Sequence, residues 1–228
     1  MKKMGLVLVL TFILVLGFAM MVWADDDAKT KVYFDTWIGG NTNQRTEETG
    51  YDTSEYDFDT TCFFLGFDTV INRFKLGGDL GINGTIKADN GNFDFTMINL
   101  KFGYRILDGE NSKVDIVAGF MNFDGKAYGN DACTGVMLGA DLSYAFSDQM
   151  FFQGSYAFSM NGSWGDFDSA DLSNLNLKVG CLVADNVALT AGYRLYTVKG
   201  KFSDSYYDYN YNLTNKMSGL TLGVMCGF

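Results

Sequence analysis

Apolar and polar residues alternate through most of this chain, and a period of two predicts β-strands. In 74–87 one face carries the apolar side chains of Phe74, Leu76, Leu80, Ile82 and Ile86. The other face carries Lys75, Asp79, Asn83, Thr85 and Lys87. Comparable alternation occurs at 98–106, 136–144, 152–159, 175–181, 187–195 and 220–228. Less regular strands at about 31–40, 58–71 and 113–122 bring the predicted count to ten. The strands at 31–40 and 113–122 are the least regular, and eight is the alternative count.

The predicted links between these strands alternate in length. Short turns fall at 72–73, 108–112, 147–149 and 184–186, and longer links fall at 41–57, 123–133, 161–171 and 200–211. The link at 88–92 is the one short exception among the second set. Strands joined in this order predict an all-β, antiparallel, up-and-down barrel with short turns at one end and longer loops at the other.

The two ends of the chain carry export and membrane signals. Lys2 and Lys3 precede an apolar run at 5–22, and Ala24 is followed by three aspartates, which is the pattern of a secretory signal peptide cleaved after Ala24. An uncleaved anchor helix is the alternative, because the run is about as long as a membrane span. At the other end, the last predicted strand finishes the chain on Phe228.

The signal peptide, the alternating strands, the link asymmetry and the terminal Phe228 together resemble the small bacterial outer-membrane β-barrel, or porin-family, proteins. The resemblance covers the whole mature chain and implies a cleaved segment 1–24, one transmembrane barrel domain 25–228 and two periplasmic termini. It also implies contact with outer-membrane lipid and lipopolysaccharide. In such proteins the barrel-assembly machinery recognises the last strand, which here contains Leu220, Leu222, Val224 and Phe228.

A soluble secreted β-barrel or sandwich would show the same alternation, with the apolar face turned toward a core. Two details favour lipid on the outside. Glycines lie on the polar face, as a narrow interior requires: Gly77, Gly81, Gly103, Gly139, Gly180 and Gly192. Aromatic residues of the apolar face gather near the turns, like an interfacial girdle: Phe74, Tyr104, Tyr144, Phe152 and Phe228.

Composition narrows the function classes. The chain has a net charge of −10, and removal of 1–24, which holds two Lys and no acid, makes it −12. Without Lys and Arg clusters, the chain is not expected to bind nucleic acid. Pro is absent, which suits a chain made of hydrogen-bonded strands. After 5–22 no apolar stretch is long enough for a spanning helix, so any further membrane crossing must use strands.

The polar face predicts a charged barrel interior. Its charged members are Asp35, Lys75, Asp79, Lys101, Arg105, Asp115, Asp141, Lys178 and Arg194. Mixed charges in a narrow space of low dielectric must pair, which gives a rigid, salt-bridged plug. The alternative is a narrow pore that admits a small polar solute past a charged constriction. Ten strands lie near the number at which side chains fill a barrel, which favours the plug.

Catalysis is not expected from these residues. Outer-membrane barrel enzymes such as the omptin proteases rely on His as a base, and this chain contains no His. Asp57 with Asp59, and Asp166 with Asp168, are acid pairs by spacing alone. Four scattered cysteines without a C-x-x-C pair predict small apolar residues, and no metal or cofactor is expected.

The longer links are acidic and rich in tyrosine. The link 200–211 contains the contact candidates Tyr206, Tyr207, Tyr209 and Tyr211. Tyr offers a large contact area at a low cost in rotamer entropy, so adhesion or ligand capture is one hypothesis. The other is that these tyrosines extend the aromatic girdle into the lipopolysaccharide layer. The sequence thus predicts a non-enzymatic structural or narrow-pore barrel, with a surface adhesin or ligand-binding barrel as the alternative.

Overall fold

A computed structural model of the chain describes residues 28–88, 91–125, 132–204 and 209–227. The predicted signal segment 1–24 and Phe228 lie outside these ranges. Within them, ten β-strands follow one another along the chain. They are β1 (Ala28–Glu48), β2 (Ser54–Ile71), β3 (Phe74–Ala88), β4 (Gly91–Asp108), β5 (Ser112–Gly125), β6 (Cys133–Ala145), β7 (Met150–Trp164), β8 (Phe167–Ala184), β9 (Val187–Asp204) and β10 (Tyr209–Gly227).

Every strand pairs antiparallel with its neighbours in sequence, and β1 pairs with β10 to close the barrel. The closing ladder runs from Lys31 opposite Gly227 to Glu48 opposite Tyr211. The predicted fold class and the count of ten are therefore confirmed among the described residues, and the count of eight is wrong. In the same residues, no helix is long and apolar enough to cross a membrane.

The predicted long links are shorter than expected, because strands extend into all four of them, which corrects the sequence prediction. The segment 41–57 contains the end of β1 and the start of β2, which continue to pair until Thr46 faces Ser54. The segments 123–133, 161–171 and 200–211 are shortened in the same way by the ends of β5 to β10. The outward apolar residues end before each strand ends. Alternation therefore underestimated the length of the strands.

The outer surface consists of two levels. Near the short turns it is an apolar belt, made on β4 by Ile98, Leu100, Phe102 and Tyr104 and repeated on the other strands. The belt covers roughly nine residues of each strand, or about 30 Å of strand length. Beyond the belt the outward side chains become polar. Examples are Asn41, Asp59, Asp94, Asp124, Lys199 and Lys216.

The side chains of the interior change from polar to apolar at the height where the apolar belt ends. Behind the apolar belt the interior is charged, and beyond the belt it is a core of apolar side chains. Consecutive apolar pairs mark the change on several strands, such as Met97-Ile98, Phe120-Met121 and Leu195-Tyr196. The half of the barrel near the short turns is therefore apolar outside, whereas the far half is apolar inside, like a soluble protein.

Bulges assist this change of face on β1, β3 and β7. The pairing of β3 slips between Gly81 and Gly84, where Asn83 has a φ of 50°. The extra residue turns Ile86 into the core, where it is 3% exposed, and Lys87 outward. The predicted single face from Phe74 to Ile86 is wrong at its far end for this reason. On β1 the slip lies beside Gly39, whose φ of 61° favours glycine.

Candidate functional site

The structure places all nine predicted interior charges on the inner face, behind the apolar belt. A tenth, Asp68 on β2, was missed because the alternation of 58–71 is weak. The sequence does indicate its position, because Phe64, Gly66 and Asp68 occupy alternate positions and so lie on one face of β2. The set contains five aspartates and five bases, so its formal charges cancel. Nearly all of these side chains have little access to solvent.

Six of these residues form one ionic cluster between β2 and β6: Asp68, Lys75, Lys101, Arg105, Asp115 and Asp141. Asp141 Oδ2 accepts hydrogen bonds from Lys75 Nζ at 2.5 Å and from Lys101 Nζ at 2.7 Å. Arg105 Nε donates to Asp115 Oδ1 at 2.9 Å. Asp115 and Asp141 face each other across β5 and β6, and Lys75 bridges the two carboxylates. The shared lysines make this like-charge neighbourhood favourable.

Two further ion pairs reach across the barrel. Lys178 on β8 binds Asp35 on β1, and Thr190 donates to the second Asp35 oxygen at 3.3 Å. Arg194 on β9 binds Asp79 on β3, and its guanidinium lies 4.0 Å from the centroid of the Phe64 ring. Because each pair joins strands that are not neighbours in the sheet, the pairs hold opposite walls of the barrel together.

The ten charges can stabilise and fill the interior, and they offer little to a reaction. Each cation of the set contacts a carboxylate, so no charged group within it is left to act as an acid or a base. Removing one partner of a buried ion pair costs about 3–5 kcal/mol, since the other charge stays buried and uncompensated. The cluster therefore behaves as a brace.

Beyond the charges, an apolar plug fills the barrel from wall to wall. Its central members are at most 1% exposed: Phe64, Met97, Met121, Phe123, Met137, Leu172, Tyr196, Val198 and Met217. Rings from different strands meet inside it, with the centroids of Phe123 and Tyr196 6.1 Å apart. The plug closes the end of the interior that lies away from the short turns.

At the short-turn end the interior is open. A cavity of about 120 Å³ lies against the ionic cluster. A second, of about 330 Å³, lies at the mouth between the turns. Their walls share Lys31, Lys113, Ser143 and Gln153, so the two cavities adjoin. Together they form a blind vestibule, closed inward by the charges and the plug.

The tyrosines predicted as loop contacts are distributed differently. Tyr206 and Tyr207 lie outside the described residues, and Tyr209 and Tyr211 belong to β10 rather than to a loop. Tyr209 Oη donates to Glu48 Oε1 on β1 at 3.0 Å. Desolvation and this hydrogen bond to a carboxylate raise the pKa of the Tyr209 phenol. In the described part of this region, the exposed tyrosines are Tyr51 and Tyr56 of the β1–β2 hairpin.

The other candidate groups do not come together as a site. Asp57 accepts from Asn43, and Asp168 accepts from Ser203, both near the far rim of the barrel. All four cysteines are free thiols. Burial raises the pKa of the Cys133 thiol to about 12, so this cysteine is a protonated core residue.

The described part of the last strand presents its alternate residues outward. Leu220, Leu222 and Val224 are 61%, 49% and 40% exposed, and they belong to the apolar belt. Phe228, the remaining residue of the predicted assembly signal, lies outside the described residues.

Comparisons with known proteins find likeness in structure only. No protein-family model matches the chain, and no curated protein matches it. The chain is similar to the outer-membrane protease OmpT from Escherichia coli, with 10% identity, a TM-score of 0.51 and coverage of 89% of this chain and 97% of OmpT.

Two other solved structures match at lower TM-scores. An outer-membrane channel from Pseudomonas putida F1 shows 13% identity, a TM-score of 0.46 and coverage of 88% of this chain and 95% of the channel. Neisserial surface protein A shows 14% identity, a TM-score of 0.38 and coverage of 87% and 97%. Identities this low carry information on fold and none on activity. The chain has the fold of a small outer-membrane β-barrel protein.

Proposed function

We propose that the protein is a non-enzymatic, non-conducting barrel of the outer membrane, with a structural role and a polar extension that projects from the membrane. One observation carries the proposal: the interior is filled at two successive levels. Behind the apolar belt it is crossed by ion pairs such as Arg194 with Asp79, and beyond the belt it is filled by the plug. A solute would have to displace both.

The same arrangement supports the membrane location. An apolar belt backed by charged residues is the inverse of a soluble protein, and exposing it to water would cost about 25 cal/mol per Å² of apolar surface. In our proposal the segment 1–24 directs export and is removed, and residues 25–228 form the barrel domain. Both termini then face the periplasm, outer-membrane lipid and lipopolysaccharide contact the barrel, and the assembly machinery recognises the β10 strand.

Chemistry argues against an enzyme. OmpT is a protease, but the likeness to OmpT is one of fold. The sequence contains no His, which is the usual base near neutral pH. In the described interior, the carboxylates that could replace it are held by lysine and arginine.

Solute flux tests this proposal. Purified protein refolded into liposomes should admit small sugars no faster than protein-free liposomes do, whereas a general porin admits them rapidly. Uptake that rises with the amount of folded protein would overturn the sealed interior. Far-ultraviolet circular dichroism on the same liposomes confirms that the protein has folded.

An adhesive surface is the second candidate function, favoured by the tip of the β1–β2 hairpin. Tyr51 and Tyr56 are 74% and 54% exposed there, and Asp52 and Glu55 accompany them. Exposed tyrosines on a rigid hairpin form a good contact surface. Replacing both with Ser should abolish surface binding by cells that display the protein, and replacing the outward Lys199 with Ser is the matched control. Unchanged binding by the double variant would remove this candidate.

A further inference from the structure

The inner cavity of the vestibule at the short-turn end is lined by an excess of positive charge. The six residues of the ionic cluster and the pairs of Asp79 and Lys178 contain equal numbers of acids and bases, and exposed Asp108 also contacts Arg105 at 3.6 Å. Lys29, Lys31 and Lys113 complete the wall, and none of them forms an ion pair with a described residue. The wall of the inner cavity therefore contains three ammonium groups that lack an ion-pair partner among the described residues.

Neutral hydrogen-bond donors occupy the same wall. Ser143, Gln153 and Ser155 line the inner cavity, and among the described residues their side chains have no hydrogen-bond partner. Ammonium and hydroxyl groups that converge on one space are the donors that bind an oxyanion. Charges in a cavity with low-dielectric walls also concentrate counterions there.

Three acids at the mouth do not cancel this excess. Glu110, Asp148 and Asp185 line the outer cavity, and all three are exposed in the turns. None of the three lines the inner cavity, whereas Lys29, Lys31 and Lys113 do. The acids therefore leave the inner cavity positive.

From this arrangement we infer that the vestibule is a binding site for a small oxyanion, of the size and charge of inorganic phosphate, entering from the turn end. The inner cavity of about 120 Å³ is far smaller than the sites that take drug-sized ligands, so it suits a small ion. This site goes beyond the proposed function, since the vestibule can bind an oxyanion whether or not the plug prevents conduction.

Calorimetric titration of the folded barrel in detergent micelles with sodium phosphate tests the inference. We expect saturable binding of one phosphate, which weakens as salt rises and is not reproduced by chloride at equal ionic strength. The double variant Lys31→Gln with Lys113→Gln should bind about tenfold more weakly or worse, because two charge-assisted contacts are lost. Lys201→Gln, far away on β9, should bind like the wild type.

Two results would overturn the site. One is the absence of saturable heat with the folded wild-type protein, and the other is an unchanged dissociation constant in the double variant. If the double variant does not fold, Lys31→Gln alone must weaken binding while Lys31→Arg retains it. A loss in both single variants, or in neither, would contradict the role of the charge. Liposome flux is read separately, so failure here leaves the sealed interior standing.

Discussion

Arg194 illustrates what a single interior residue does in this barrel. It is 1% exposed, binds Asp79 and lies over the Phe64 ring at the boundary between the charged level and the plug. Its Nε also donates to Asn174 at 3.2 Å, so one side chain joins β9 to β3 and to β8. Removing one partner of such a buried ion pair strongly lowers the stability of the fold, whereas replacing both partners changes the stability little.

Arg194→Met should lower the free energy of unfolding by about 3–5 kcal/mol, because Asp79 remains buried without its cation. The double variant Arg194→Met with Asp79→Asn should recover most of that loss, since no unpaired charge remains. Reversible unfolding in urea, followed by tryptophan fluorescence, measures both variants. Lys216→Met, at an exposed position on β10, is the control and should be close to neutral. Equal losses in the single and double variants would contradict the ion-pair account.

Glycine at the inner face is a second residue-scale requirement. A Cβ built at Gly119 overlaps the carbonyl oxygen of Leu100 on β4, whereas a Cβ at Gly227 meets nothing within 4 Å. Gly119→Ala should therefore destabilise the barrel by about 1–3 kcal/mol, because the neighbouring backbone has to shift. Gly227→Ala should fold like the wild type. The same unfolding assay compares the two, and equal stabilities would contradict the close packing.

At the scale of the strand, the main feature is the exchange of faces along its length. On β4, Phe102 faces outward in the middle of the apolar belt at 67% exposure, and Thr96 faces outward beyond it. The two positions share one strand and one face, yet they belong to opposite environments. In our proposal, lipid surrounds Phe102 and water surrounds Thr96.

Phe102→Lys should therefore cost about 2–4 kcal/mol when the protein folds into a bilayer. Thr96→Lys should change the folding free energy by no more than about 0.5 kcal/mol, since Asp124 lies opposite it and water surrounds it. Folding titrations into lipid vesicles give both values. A similar cost at the two positions would mean that the belt ends elsewhere.

The strand also explains how much could be predicted. Alternation identified ten strands and the nine interior charges because, behind the belt, the two faces differ in polarity at every step. It failed at 41–57 and 161–171 because polar outward residues beyond the belt look like loop residues. The pairs Met97-Ile98 and Leu195-Tyr196 contain the missing signal, a shift of the apolar residues to the other face. The ion-pair partners of each charge depend on barrel closure and on the pairing register between strands. The sequence of a single strand determines neither.

The whole molecule combines two inverted halves in a single barrel. The half near the turns resembles a membrane protein with a charged interior, and the far half resembles a soluble barrel with an apolar core. The ion pairs and the plug therefore close the interior by independent physical means. Loss of one member of either level should loosen the barrel without opening a path through it.

Single-channel conductance of refolded residues 25–228 in a planar bilayer tests the sealed barrel most directly. We predict no current at low or high salt from protein whose folding is verified by circular dichroism. Reproducible discrete current steps would contradict this prediction and would make Lys75, Asp79, Lys101 and Arg105 the residues of a charged constriction.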